Sequence, residues 1–278
     1  MLHCETFSRF LRGLVKGFGA VLLIAAYLVH SSAILLFSRP GRKRLRLLTK
    51  NASHYSRRAL RLLNVRVRST REREQREHGR DSRLVVANHV SWVDILVLSS
   101  LLPSVFVTSV ELKRTLFLGM LARISGCLFV ERRSPSGIRR EIGSITKVLQ
   151  DGIRIVLFPE GTTSDGETVR SFKGSLFDTA IRAGVNVRPV CLRYRRVDAA
   201  PIDGRIRDHI YYYGGTRFVQ HLPRVLALRS VEVDVAILRS LHPHDYPSRK
   251  ELAAHAHAVI AEVYRAGTGQ KHHHSTKQ

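Results

Sequence analysis

The chain has 278 residues, 44% hydrophobic and 24% charged, which is ordinary globular material for one large α/β domain with an appendage. With 46 basic against 22 acidic residues the formal net charge is +24, so the protein is drawn to polyanions, the common ones being nucleic acid and an anionic bilayer. Cys4, Cys127 and Cys191 are odd in number, far apart and without C-x-x-C pairing; they suggest neither a disulfide framework nor a zinc site and favour a reducing compartment.

Phe18 to Phe37 is a run without Asp, Glu, Lys or Arg. As a helix it reaches about 30 Å, the thickness of a hydrocarbon core. A cleavable signal peptide is the competing reading, but the run is long and lacks a small-residue cleavage site. Arg9, Arg12 and Lys16 precede it, and Arg39, Arg42, Lys43, Arg44 and Arg46 follow. The heavier second cluster keeps the remainder cytoplasmic, and basic flanks on both sides leave a re-entrant or tilted anchor open beside a span. Removing Met1 to Pro40 is therefore expected to move the protein toward the soluble fraction.

From Arg42 to Asn64, Leu45, Leu48, Ala52, Tyr55, Ala59 and Leu62 form one helical stripe, with Arg and Lys on the other faces. This predicts a basic amphipathic helix in a membrane interface; a helix packed on the domain has the same pattern.

Val65 to Arg68 alternates as a first strand and Arg71 to Asp81 reads as a loop. Strands are predicted at Leu84–Ala87, Val105–Thr108, Cys127–Glu131, Arg154–Phe158, Val185–Tyr194 and Ser230–Leu238. Helices are predicted at Val90–Leu102, Glu111–Arg123, Ser136–Gln150 and Phe172–Ala183. Phe218 to Leu228 reads as a helix pair or loop near the membrane. Ser248, with Glu251 at the third position, caps a last helix to about Ala266. The alternation predicts an α/β fold with a largely parallel, mixed sheet flanked by helices on both faces. The expected organisation is an anchoring segment at 1–64, a catalytic domain at 65–266 and a disordered tail at 267–278 that includes His272, His273 and His274.

Three features fall at predicted C-terminal ends of strands, where open α/β sheets keep their sites: Asn88-His89, Arg132-Arg133 and the turn Pro159-Glu160-Gly161-Thr162-Thr163. Asp94, in the first turn of the following helix, can reach back to His89; a carboxylate on one ring nitrogen fixes the tautomer and leaves the other as a base. Ser91-Trp92-Val93-Asp94 equally writes a capping box beside a core histidine. The glycine-containing turn could present amides and hydroxyls to an oxyanion, although no P-loop Lys-Ser/Thr pair follows. Arg132 and Lys173 are ordinary surface charges taken singly and a phosphate clamp if they converge. No metal site is suggested.

Four blocks between Leu84 and Arg193 resemble the phospholipid/glycerol acyltransferases, best known for 1-acylglycerol-3-phosphate O-acyltransferases: Asn88-His89 to Asp94, Gly126 to Arg132, Phe158 to Thr162, and Val187 to Val190. The resemblance implies the glycerolipid acyltransferase fold and acyl transfer without a covalent enzyme intermediate, with no cofactor beyond acyl-CoA or acyl-carrier protein as co-substrate. His89, oriented by Asp94, would deprotonate an acceptor hydroxyl that attacks the thioester, while Asn88, Arg132, Glu160, Gly161, Thr162, Thr163 and Lys173 would bind substrate. Many phosphatidate-forming members have Arg where this chain has Thr163, and FPEGTTSDG also resembles enzymes that acylate lyso-ornithine lipid. The first expectation is thus transfer to 1-acylglycerol 3-phosphate, forming phosphatidic acid, with lyso-ornithine lipid as the alternative acceptor. The expected location is a bacterial inner membrane with the catalytic domain on the cytoplasmic side, at an anionic membrane surface. A basic nucleic-acid-binding protein is the alternative of another class, without a helix-turn-helix, zinc or RNA-binding signature to support it. A non-catalytic membrane scaffold would need no His89–Asp94 pair.

Overall fold

The computed structural model describes residues 2–72, 82–131 and 135–267. Arg132, most of the loop at 71–81 and the tail from 268 lie outside the described residues. Two helices come first, α1 (Leu2–Phe37) and α2 (Arg42–Leu63), followed by strands β1 (Val65–Arg71) and β2 (Ser82–Ala87). The α/β alternation continues through α3 (Val93–Leu101), β3 (Val105–Ser109), α4 (Val110–Lys113), α5 (Leu116–Ile124), β4 (Leu128–Val130), α6 (Pro135–Gln150) and β5 (Ile155–Leu157). A 3₁₀ turn at Gly174–Phe177 leads into α7 (Asp178–Ala183), then β6 (Asn186–Val197), β7 (Ala200–Pro201), α8 (Phe218–Ala227), β8 (Val231–Ile237) and α9 (Arg249–Ala266).

The strands form one sheet in the order β1-β8-β6-β2-β5-β3-β4, with β7 folded back on β6. The pairs β1/β8, β6/β2, β2/β5, β5/β3 and β3/β4 are parallel; β6/β8 and β6/β7 are antiparallel. The expected largely parallel mixed sheet is what is found. Alternation along the strands divides the core in two. Val85, Ala87, Val190, Leu192 and Tyr194 face one cluster with Val93, Val97 and Leu98 of α3 and Leu60 of α2. Leu84, Val86, Val187 and Cys191 face the other, with Ile145, Leu149, Ala180 and Ile260.

Three helix boundaries differ from the sequence reading, each because a side chain or backbone group is used elsewhere. The helix expected from Val90 begins at Val93, because the amides of Val90 and Ser91 turn in to Asp94. The helix expected over Glu111–Arg123 is two, broken where Thr115 Oγ1 caps α5 by accepting from Gly119 N at 3.0 Å. The helix expected from Phe172 starts at Gly174, because Lys173 N donates to Pro159 O at 2.9 Å. Phe218 to Ala227 is one helix.

The two N-terminal helices are built into the domain. Lys16 Nζ, buried on α1, donates to Leu63 O at 2.9 Å and Leu228 O at 2.8 Å, at the C-terminal ends of α2 and α8, where a cation meets the negative end of each helix. Arg12 Nη1 donates to Ala227 O at 2.7 Å. Further along, Asn51 Nδ2 donates to Ser31 Oγ at 2.9 Å and Tyr27 Oη pairs with Ser125 Oγ at 2.7 Å. The stripe of α2 does not lie free for an interface: α1 and the loop after α5 cover it, with Leu62 against Gly19, Tyr55 edge-on to Tyr27, and Leu45 against Gly126. Exposed apolar side chains line α1 instead, at Phe7, Phe10, Leu14, Phe18, Val21, Val29 and Leu36, with Leu116 on α5 and Val219 on α8 also exposed.

Candidate active site

β2 ends at Ala87 between β5 and β6 and delivers Asn88 and His89 to the sheet edge. His89 Nδ1 lies 2.8 Å from Asp94 Oδ2. The same oxygen accepts from Val90 N at 2.8 Å and Ser91 N at 2.9 Å, while Oδ1 accepts from Tyr194 Oη at 2.7 Å. One carboxylate therefore both closes the helix start and holds the imidazole, so the capping geometry and the pairing with His89 do not compete. Asp94 is fully buried, whereas the His89 side chain keeps 14% of its surface exposed. Among the described residues Nδ1 is the engaged ring nitrogen, leaving Nε2 for an incoming group. The Phe158 ring stacks on the imidazole, with centroids 3.8 Å apart and planes within 11°, so the ring is held on its face as well as its edge.

The turn after β5 braces the main chain of His89 from both sides. Glu160 Oε1 accepts from His89 N at 2.7 Å, and Ser164 N donates to His89 O at 2.9 Å. Glu160 Oε2 accepts from Arg170 N at 3.2 Å, closing the far side of the loop. Burial pushes the Glu160 carboxyl up to about 7, against the pull of those two amides. Gly161 sits at φ +83°, a conformation that glycine adopts without cost, and Gly161 N donates to Phe158 O at 3.1 Å to make the turn. Thr162 is exposed and Thr163 half-buried on the same loop.

The expected substrate contacts thus divide. Asn88 is buried, and its side chain bridges the Leu192 backbone, donating to the carbonyl at 2.9 Å and accepting from the amide at 2.8 Å, so that it ties β2 to β6. Glu160 is likewise committed inward. Gly161, Thr162 and Thr163 lie on the loop that holds His89, and Lys173 joins that loop through its backbone while its side chain is exposed. Tyr194, Phe158 and Ser164 contribute beyond the expected set; the last two lie within the FPEGTTSDG stretch, and Tyr194 had a signal of its own, a polar aromatic on the buried face of a strand, where its hydroxyl needs a partner.

Residues 64–193 match the acyltransferase family model. The chain is 37% identical over 207 residues to a lyso-ornithine lipid O-acyltransferase of Rhizobium meliloti, covering 72% of this chain and 70% of the relative. It is 36% identical over 185 residues to the enzyme of the same name from Pseudomonas aeruginosa, covering 66% and 68%. The chain belongs to the glycerolipid and lysolipid acyltransferase family. A 1-acyl-sn-glycerol-3-phosphate acyltransferase of Neisseria gonorrhoeae is 40% identical over a shorter stretch, 111 residues, covering 40% of this acyltransferase and 44% of the relative. The fold matches the crystal structure of the 1-acyl-sn-glycerophosphate acyltransferase from Thermotoga maritima at a TM-score of 0.66 and 21% identity, over 96% of this chain and 99% of that one. An acyltransferase displaces both the nucleic-acid-binding and the scaffold alternatives.

Proposed function

We propose that this acyltransferase esterifies the free hydroxyl of lyso-ornithine lipid, with an acyl thioester of acyl-carrier protein or coenzyme A as donor. The observation that carries the chemistry is the His89–Asp94 pair, held at 2.8 Å with the other ring nitrogen open. His89 Nε2 takes the hydroxyl proton as the oxygen attacks the thioester carbonyl; the C–S bond then breaks and the thiolate leaves with the proton from the imidazolium. Asp94 stabilises that imidazolium. The acceptor order inverts the first expectation from the sequence on two grounds. The relatives matched over two thirds of their length carry the lyso-ornithine name, and the position where phosphatidate-forming members carry arginine is Thr163. An ornithine headgroup carries a single carboxylate charge balanced by its own ammonium in place of a phosphate dianion, which lowers the demand for a guanidinium fork there.

The membrane supplies the acceptor. Thr6–Phe37 is long and apolar enough to cross a bilayer by length and composition. Its other face is fixed to α2, α5 and α8 along its length, so we read it as lying in the interface with Phe10, Leu14 and Phe18 in lipid. The exposed Arg42, Lys43, Arg46 and Lys50 of α2 favour an anionic, cytoplasmic surface.

The test is transfer by purified protein in mixed micelles to lyso-ornithine lipid and to 1-acylglycerol 3-phosphate, with each thioester. Ester formed on lyso-ornithine lipid at least about tenfold faster, and abolished by His89→Ala, is the expected result. The reverse preference would instead support phosphatidate formation, the reading that the 40% identity to the Neisseria enzyme favours. Full activity of His89→Ala would overturn the mechanism.

A further inference from the structure

Asp94 is bound by two kinds of partner. Three hydrogen bonds converge on Oδ2, from His89 Nδ1, Val90 N and Ser91 N, and all come from the same six-residue stretch as the carboxylate. Oδ1 has a different source, the Tyr194 hydroxyl at 2.7 Å, from β6 and one hundred positions along the chain. Both side chains are buried, Asp94 at 0% and Tyr194 at 3% exposure, so water does not take over if the bond is lost.

From this geometry we infer that Tyr194 is a positioning residue for the catalytic pair: by holding Asp94 Oδ1 it fixes the rotation of the carboxylate, and so the line from Oδ2 to His89 Nδ1. The inference rests on the His89 base reading above. The three local bonds restrain the carboxylate through Oδ2 alone, and the bond to Oδ1, coming from a different element, restrains χ2 from the opposite side. Tyr194 is placed for this by strand parity. Val190, Leu192 and Tyr194 share one face of β6, and Asn88 locks β6 to β2 through the Leu192 backbone, two residues before the tyrosine. Edge-on packing of the Tyr211 ring, with centroids 5.7 Å apart, supports the phenol from behind. Burial, with the Asp94 charge beside it, pushes the Tyr194 hydroxyl well above its ordinary value, so it remains a donor throughout the working range.

The sign of the effect follows. A hydrogen bond to Oδ1 stabilises the carboxylate charge and tempers its hold on the imidazolium; without it, Asp94 binds the Nδ1 proton more strongly and His89 keeps its second proton to higher pH. Tyr194→Phe is therefore expected to lower kcat about tenfold, through a mis-set carboxylate, with KM unchanged because the residue is buried away from substrate. It should also move the acid limb of kcat/KM upward by roughly half a unit. Added to Asp94→Asn, the same change should cost little more, since the group it acts through is already altered. Tyr211→Phe removes a neighbouring hydroxyl that does not touch Asp94 and should leave the pH profile where it is.

The deciding measurement is the imidazole titration of His89, read by NMR of nitrogen-labelled histidine in the full-length protein and assigned with His89→Ala. It requires no turnover. An upward shift in Tyr194→Phe supports the inference. A lower melting temperature with unmoved titration and unmoved acid limb would show a packing role and overturn it, as would an unchanged kcat. If Tyr194→Phe does not fold, 3,5-difluorotyrosine at 194 keeps the shape and strengthens the donor, and the titration should then shift downward; no shift overturns the inference. Should His89→Ala retain transfer, the base reading fails by itself, and the titration still decides whether Tyr194 acts on His89 through Asp94.

Discussion

Replacing Asp94 with asparagine separates the two tasks of this side chain. An asparagine oxygen in the place of Oδ2 still accepts from Val90 N, Ser91 N and His89 Nδ1, and its amide then faces Tyr194 Oη, which can turn to accept. The cap survives, at the cost of charge-assisted bonds becoming neutral ones, about 1–2 kcal/mol, or a fall in melting temperature of roughly 2–8 °C for a domain of this size. What disappears is the negative charge opposite the imidazolium. Loss of a general base's charged partner is worth about 10²–10⁴ in rate, so kcat should fall about a thousandfold, or about 4 kcal/mol in the barrier. Asp94→Ala removes the acceptor as well, orphaning two buried amides and a tyrosine hydroxyl at about 1–3 kcal/mol each, and should fail mainly as a folding defect. The assay is single-turnover acyl transfer to lyso-ornithine lipid alongside thermal melting for both variants. Asp94→Asn within threefold of the wild-type rate would refute the reasoning.

Two further outcomes follow from the surroundings of the site. Glu160, raised to about 7 in the folded protein from 4.5, holds its proton where the unfolded chain has lost it. Its contribution to stability is therefore fully present below about 4.5 and is lost as pH rises through 7, by up to about 3 kcal/mol. Glu160→Gln should flatten that slope, so that its stability relative to wild type improves from pH 4.5 to 7.5; parallel curves in denaturant unfolding would contradict the burial argument. On α1, serine at Phe10, Leu14 and Phe18 should reduce binding to anionic vesicles at unchanged melting temperature, because these side chains face outward. Lys16→Met should do the opposite, lowering the melting temperature by orphaning the Leu63 and Leu228 carbonyls while vesicle binding persists.

Contacts that are local in sequence were legible from it, and those made across the sheet were not. His89 and Asp94 are five positions apart and either side of a helix start, so their meeting follows from helix geometry alone. The alternation of apolar runs gave the parallel sheet for a similar reason, since each run reports its own burial. Asn88 and Glu160 show where this stops. A polar residue at the end of a buried strand looks the same whether it faces a ligand or a neighbouring backbone; only the β2–β6 pairing, with Ala87 opposite Val190, shows that Asn88 meets Leu192. Tyr194 was hidden by the same register, its partner lying a hundred residues upstream.

The amphipathic helices pose that ambiguity at larger scale, because an apolar stripe states that something covers it without saying what. On α2 the cover is protein, and on α1 one face is covered by protein and the other exposed. This changes what deletion of Met1 to Pro40 can show. The deletion removes the outward stripe, but it also strips Leu62 and Tyr55 of their neighbours and takes the Lys16 ammonium from two helix ends. A shortened chain with that surface uncovered would sediment by aggregation, whatever its affinity for lipid. Movement to the soluble fraction is therefore not the expected result, and pelleting would not show a second anchor. Only substitutions confined to the outward stripe separate membrane attachment from the packing of α1 on α2 and α8.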